Sequence, residues 1–129
     1  TMKKSLSVLL IAFTMIIISC KKEESPAVFS LDTASGIWSG RYNYGSGDGN
    51  PFSLILDKNG NSTFVDSSDG STKYNGIYTV FGDSLACVVS KSSVVVNFRF
   101  KVNTDFNSLN GSWVNLTGSA SGFVNCTKK

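Results

Sequence analysis

Val94-Val95-Val96-Asn97-Phe98-Arg99-Phe100-Lys101-Val102 is the stretch that decides the fold. Val94, Val96, Phe98, Phe100 and Val102 share one side, while Asn97, Arg99 and Lys101 share the other. Side chains of an extended chain point alternately to opposite faces. A strand with one buried and one wetted face therefore shows this alternation. No window after residue 26 shows the period of a helix.

Outward from this run in both directions, short β-rich segments alternate with turn chemistry. The expected strands are Gly36–Tyr44, Pro51–Asp57, Ser62–Ser67, Thr72–Phe81, Ser84–Ser90, Val94–Val102, Leu109–Thr117 and Gly122–Thr127. Gly45–Asn50, Asn59-Gly60, Asp69-Gly70 and Gly82-Asp83 punctuate them, and Asn-Gly is the strongest short hairpin signal. Connections this short make neighbouring strands sequential and antiparallel. An open meander would expose two edges, which closure removes. The expected fold is all-β: an antiparallel, up-and-down, eight-stranded β-barrel over residues 36–129. A barrel of that size has an interior just wide enough for side chains or for one small ligand.

The part before the strands reads as an address. Met2-Lys3-Lys4-Ser5 is a short basic start, and Leu6–Ile18 is apolar but for Ser7 and Thr14. That length suits a signal peptide and is short for a permanent membrane span. Residues 1–19 are expected to be the signal peptide and residues 20–35 a tether. The charged, Pro-containing run Lys21-Lys22-Glu23-Glu24-Ser25-Pro26 favours a solvated linker.

The formal net charge is +3; without Lys3 and Lys4, ten basic and nine acidic side chains remain. The basic residues after the tether are scattered singly, so no nucleic-acid surface is expected. With no histidine, Ser-His-Asp and Cys-His catalysis are excluded and a zinc site is unexpected. Asp48, Asp57, Asp66, Asp69, Asp83 and Asp105 fall mostly in turns, with no carboxylate assigned to an apolar strand face. The expectation is a protein that is not an enzyme, with no cofactor and no metal. Asp57-Lys58-Asn59-Gly60-Asn61 has some likeness to a calcium loop, but the later bidentate Glu is missing and a turn is the preferred reading. Gly45–Gly49 lacks the Lys-Ser/Thr of a phosphate loop and is read as a hairpin tip. Cys87 and Cys126 are either a disulfide or two separate buried thiols, and the spacing leaves both open.

Several motifs carry resemblances. Ile17-Ile18-Ser19-Cys20 resembles a lipobox, which implies that Cys20 takes a lipid. The lysine-then-acidic run after it is similar to the surface-export signal of some Gram-negative phyla. That resemblance implies lipid anchoring to the outer membrane, with the outer face as one possibility and a mere spacer as the other. Gly36-Ile37-Trp38-Ser39-Gly40-Arg41-Tyr42, the Asn59-Gly60 hairpin, Gly76-Ile77-Tyr78, Leu109-Asn110-Gly111-Ser112-Trp113 and Gly122-Phe123 together resemble the lipocalin-like lipoproteins of Gram-negative bacteria. The likeness covers roughly residues 36–127 and implies a lipocalin- or avidin-like barrel rather than an activity. In lipocalins the first-strand Trp packs against an arginine of the last strand, a position that neither Arg41 nor Arg99 matches. Ser119-Ala120-Ser121-Gly122 is similar to a segment of small lipoprotein lysozyme inhibitors, with a loop as the default reading. Asp32-Thr33-Ala34 fits a short O-glycosylation pattern, with a plain linker as the default.

Two functional readings follow. In the first, the lumen holds a small apolar ligand against some of Trp38, Tyr42, Leu54, Leu56, Tyr78, Val96, Phe98, Phe100 and Trp113. The same residues would serve as a filled core. In the second, a non-enzymatic surface module binds a protein or glycan through loops or the barrel exterior, with Tyr44, Phe81 and Phe106 as exposed anchors. A structural envelope protein with a solid barrel is a variant of the second.

Overall fold

The computed structural model describes residues 28–43 and 49–129. The signal peptide, Cys20, residues 21–26, Tyr44 and Gly45–Asp48 lie outside the described residues. Eight strands run β1 Gly36–Asn43, β2 Asn50–Leu56, β3 Asn61–Asp66, β4 Thr72–Phe81, β5 Ser84–Lys91, β6 Val94–Val102, β7 Ser108–Asn115 and β8 Ser121–Lys128. They close in sequence order into one barrel, every neighbouring pair antiparallel, with β8 back on β1. β4 and β6 have the boundaries expected from the sequence, and the other strands differ by two residues or fewer at each end.

The alternation in β6 sets the inside and the outside. Phe98, Phe100 and Val102 are buried, while Arg99 and Lys101 are exposed. The other strands follow suit, and Trp38, Leu54, Phe64, Tyr78, Leu85, Cys87, Leu109, Trp113, Val124 and Cys126 join the same core. The inner face is apolar, while the outer face mixes polar side chains with exposed apolar ones such as Ile77, Phe81 and Phe123. Four inward-facing positions are glycine: Gly40, Gly76, Gly111 and Gly122. At each, an added Cβ would lie within 2 Å of a carbonyl oxygen on the neighbouring strand. At these places the paired backbones come closer than a side chain would permit, which suits a sheet closing around a small circumference.

The segment assigned to the tether is, in its last eight residues, part of the folded body. A one-turn helix, α1 (Leu31–Ala34), is held by a capping box in which Ser30 and Thr33 bond each other's backbone N–H. A turn this short leaves no periodicity for a sequence to show. Ala34 is completely buried and Phe29 nearly so. The Phe29 ring lies 5.5 Å from Phe106, whose backbone sits at φ +56°, a strained setting for a bulky side chain. Phe106 is therefore a packing residue of this end and no exposed anchor. The Trp38 indole donates to the Ala34 carbonyl at 2.8 Å, and Lys128 donates to the Thr33 carbonyl at 2.7 Å. The Tyr78 hydroxyl donates to the Asp57 carbonyl, with the Leu31 carbonyl at 3.3 Å. Residues 28–35 thus plug the end of the barrel at which β1 starts and β8 finishes. Lys128 is the cross-strand neighbour of Trp38 in the last strand, its ammonium 5.7 Å from the indole centre.

Candidate functional site

Most of the lumen is filled. Of the nine residues proposed as a lining, Trp38, Leu54, Leu56, Tyr78 and Phe100 are packed core of the middle and plugged end. None of these five lines the pocket at the other end. The other four, Tyr42, Val96, Phe98 and Trp113, meet at the opposite end, where β1, β3, β5 and β7 finish. There a half-enclosed pocket of about 160 Å³ remains, completed by Phe64, Asp66, Tyr74, Val94, Asn115 and Ala120. At roughly 30 Å³ for each water in the liquid, that is room for about five waters or one small molecule. It is smaller than the roughly 300 Å³ at which drug-sized pockets begin.

Strand register assembles this mouth. Phe64 pairs with Tyr74 across β3–β4, and Phe98 with Trp113 across β6–β7. The rings form a continuous wall. Tyr42 stands edge-on to Trp113 at 5.8 Å and to Phe64 at 5.8 Å, Phe64 stacks on Phe98 at 5.1 Å, and Tyr74 meets Phe64 edge-on at 5.8 Å. Trp113 is held by donation from its indole nitrogen to the Asn43 carbonyl at 2.9 Å. That contact passes Gly122, where a Cβ would stand 1.6 Å from the same oxygen.

Asp66 corrects the sequence reading of the carboxylates. It is the last residue of β3, on the same inward side as Ser62 and Phe64, and it lines the pocket. Its Oδ2 accepts from the Tyr42 hydroxyl at 2.6 Å; its Oδ1 accepts from Ser68 N at 3.0 Å and Ser68 Oγ at 2.6 Å. The Ser68 bonds cap a 3-10 turn, Ser67–Asp69, at the rim. Burial and the bond to Asp66 push the Tyr42 phenol up to about 12. The Tyr74 phenol is also raised, by burial and then by the negative charges of Asp66 and Asp69. Both shifts report a site whose field disfavours added negative charge.

Asp57 does something different. Its Oδ1 accepts from the backbone N–H of Asn59 and Asn61 and its Oδ2 from the Asn61 amide, bonds that hold its carboxyl below the usual range. The carboxylate thus organises the Asn59-Gly60 turn. Cys87 and Cys126 are two free, buried thiols, pushed up to about 11 and about 12 by burial. The Ser62 hydroxyl, the one buried side-chain polar atom without a conventional partner among the described residues, lies beside the Cys87 thiol, a weak partner.

A larger open space than the mouth lies on the outer wall. It is a shallow groove of about 790 Å³ over β4–β8, floored by Gly111 and flanked by Phe81, Arg99, Lys101 and Phe123. Phe81 is 89% exposed and Phe123 73%. Comparison with models of known protein families finds none that matches, and a search of curated proteins finds no significant match.

The sequence reading missed Phe64, Asp66, Tyr74, Val94, Asn115 and Ala120. The signal for two of them was present: Asp66 keeps step with Phe64 and Tyr74 with Tyr78. Extending the alternation to the ends of β3 and β4 would have placed both inside.

Proposed function

We propose that this chain is a lipid-anchored, lipocalin-like barrel that binds one small molecule at its open mouth and catalyses no reaction. The mouth pocket carries the reading. Among the described residues it is a half-enclosed, aromatic space with convergent polar groups left in an otherwise filled lumen, the usual form of a small-ligand site. Cys20 in its lipobox-like setting supports attachment to the cell envelope. The Trp38–Lys128 contact supports the lipocalin-like part, because it puts a last-strand cation on the first-strand Trp.

The test is an NMR titration of the intact chain in a non-ionic detergent with p-cresol, tert-butanol and toluene. Shifts confined to Val94, Val96, Ala120 and the Trp113 indole are expected. Failure of all three probes to shift these signals would leave a solid barrel and sink the reading. A second reading, docking of a protein or glycan on the outer groove, is favoured by the exposure of Phe81 and Phe123. Shifts centred on those two rings would select it.

A further inference from the structure

The chemistry of the mouth goes further than its size. Five aromatic side chains line it: Tyr42, Phe64, Tyr74, Phe98 and Trp113. The indole nitrogen of Trp113 points to Asn43, and the Tyr42 hydroxyl points to Asp66. Tyr42 and Trp113 therefore have their donors turned to the protein and line the pocket with their rings. Ring faces carry the negative part of the aromatic quadrupole. Among the described residues the one charged lining residue is Asp66, and no lysine or arginine lines the pocket. The bonds Asp66 accepts come from hydroxyls and a backbone N–H, and no described cation pairs with it. Asp69 adds a second negative charge whose field reaches Tyr42 and Tyr74. Lys73, the basic residue beside Tyr74 in β4, is exposed on the opposite side of the strand.

We infer that the mouth is a receptor for a small organic cation, of the methylated-ammonium class, held against the rings of Tyr42, Tyr74 and Trp113 with Asp66 as its counter-charge. The inference rests on the mouth being the binding site. A cation gains from the ring faces and from the carboxylate together. A small anion would meet Asp66 and Asp69. A purely apolar guest would leave the carboxylate without a complementary charge. The volume limits the guest to a head group of a few heavy atoms, so a longer molecule would leave its tail outside.

Choline and its uncharged carbon isostere, 3,3-dimethyl-1-butanol, separate charge from shape. Calorimetric titration of the intact chain is expected to show choline binding at least tenfold tighter than the isostere. Asp66→Asn, which keeps a side chain able to cap the Ser67–Asp69 turn, is expected to weaken choline about tenfold and leave the isostere unchanged. Tyr74→Leu removes a half-exposed wall and is expected to weaken choline more than the isostere. Equal affinities for the two probes overturn the cation inference while the mouth remains the site. Binding of neither overturns it as well, and the neutral probes of the preceding experiment then decide whether the mouth binds anything. A methyl glucoside that outcompetes choline overturns it in favour of a neutral polyol.

Discussion

Trp38 and Trp113 stand in the same local sequence, Gly-x-Trp, and both donate their indole N–H to a backbone carbonyl at nearly the same distance. Their fates differ because of what lies beyond them. Trp38 is fully buried, with α1 over it and Lys128 against its ring. Trp113 keeps one side on the mouth pocket beside Tyr42. Two ends built from identical alternation become a sealed floor and an open rim through eight residues of chain that lie outside the barrel ladder. The lesson is that a barrel's capacity for a ligand is set as much by its plug as by its strands.

The comparison can be broken most forcefully at Trp38. Trp38→Ala is expected to cost about 4 kcal/mol in urea unfolding, and Trp113→Ala about 3, since Trp113 lines the mouth pocket while Trp38 is fully buried. Equal losses would mean that the plug adds nothing to the packing of Trp38. Next comes the plug itself: Phe29→Ala should cost about 3 kcal/mol and expose the Trp38 indole to faster hydrogen exchange. Unchanged exchange would show that α1 alone seals the floor. At the rim, Gly122→Ala forces a methyl against the Asn43 carbonyl and should cost about 2 kcal/mol, with loss of the shifted Trp113 indole proton. A normal indole signal in that variant would rule out the close approach.

The smallest effect is at Tyr42. Tyr42→Phe removes its bond to Asp66 and should cost about 1 kcal/mol near neutral pH. The alkaline limb is more telling. With the native phenol pushed up to about 12 and the unfolded one near 10, the unfolded chain gives up its proton first. The stabilisation is complete below pH 10 and disappears as pH rises through 12. Cys87, Cys126, Tyr74 and Tyr78 are shifted in the same direction. Stability should therefore fall steeply over pH 9–12, and Tyr42→Phe should make that fall shallower. A titration of tyrosine absorbance that shows every phenol ionising near 10 would contradict the buried mouth.

The strands were legible because their signals are local. The alternation in Val94–Val102 and turn dipeptides such as Asn59-Gly60 each specify geometry over a few residues. The buried direction of Cys126 was harder, since Phe123 is apolar yet 73% exposed and argues for the wrong phase. The plug was read as linker because Asp32-Thr33-Ala34 has no pattern longer than one turn, and its stability comes from Trp38, Phe106 and Lys128, which are distant in sequence. The filling of the lumen was not legible for a related reason. Whether Leu54 and Phe100 leave a void depends on how sharply the sheet coils at Gly40, Gly76, Gly111 and Gly122. That closeness is a property of paired backbones and not of composition.

The seal beneath Trp38 also gives the molecule a bearing. Val28, the first described residue, leads into the plug at the floor, and the barrel rises about 20 Å from there to the rim. Anything that grips the leading segment holds this molecule as a cup is held by its base, with the opening turned away from the hand. A tug on that segment bears first on Phe29 and Ala34, so the cork is drawn before any stave of the barrel is disturbed.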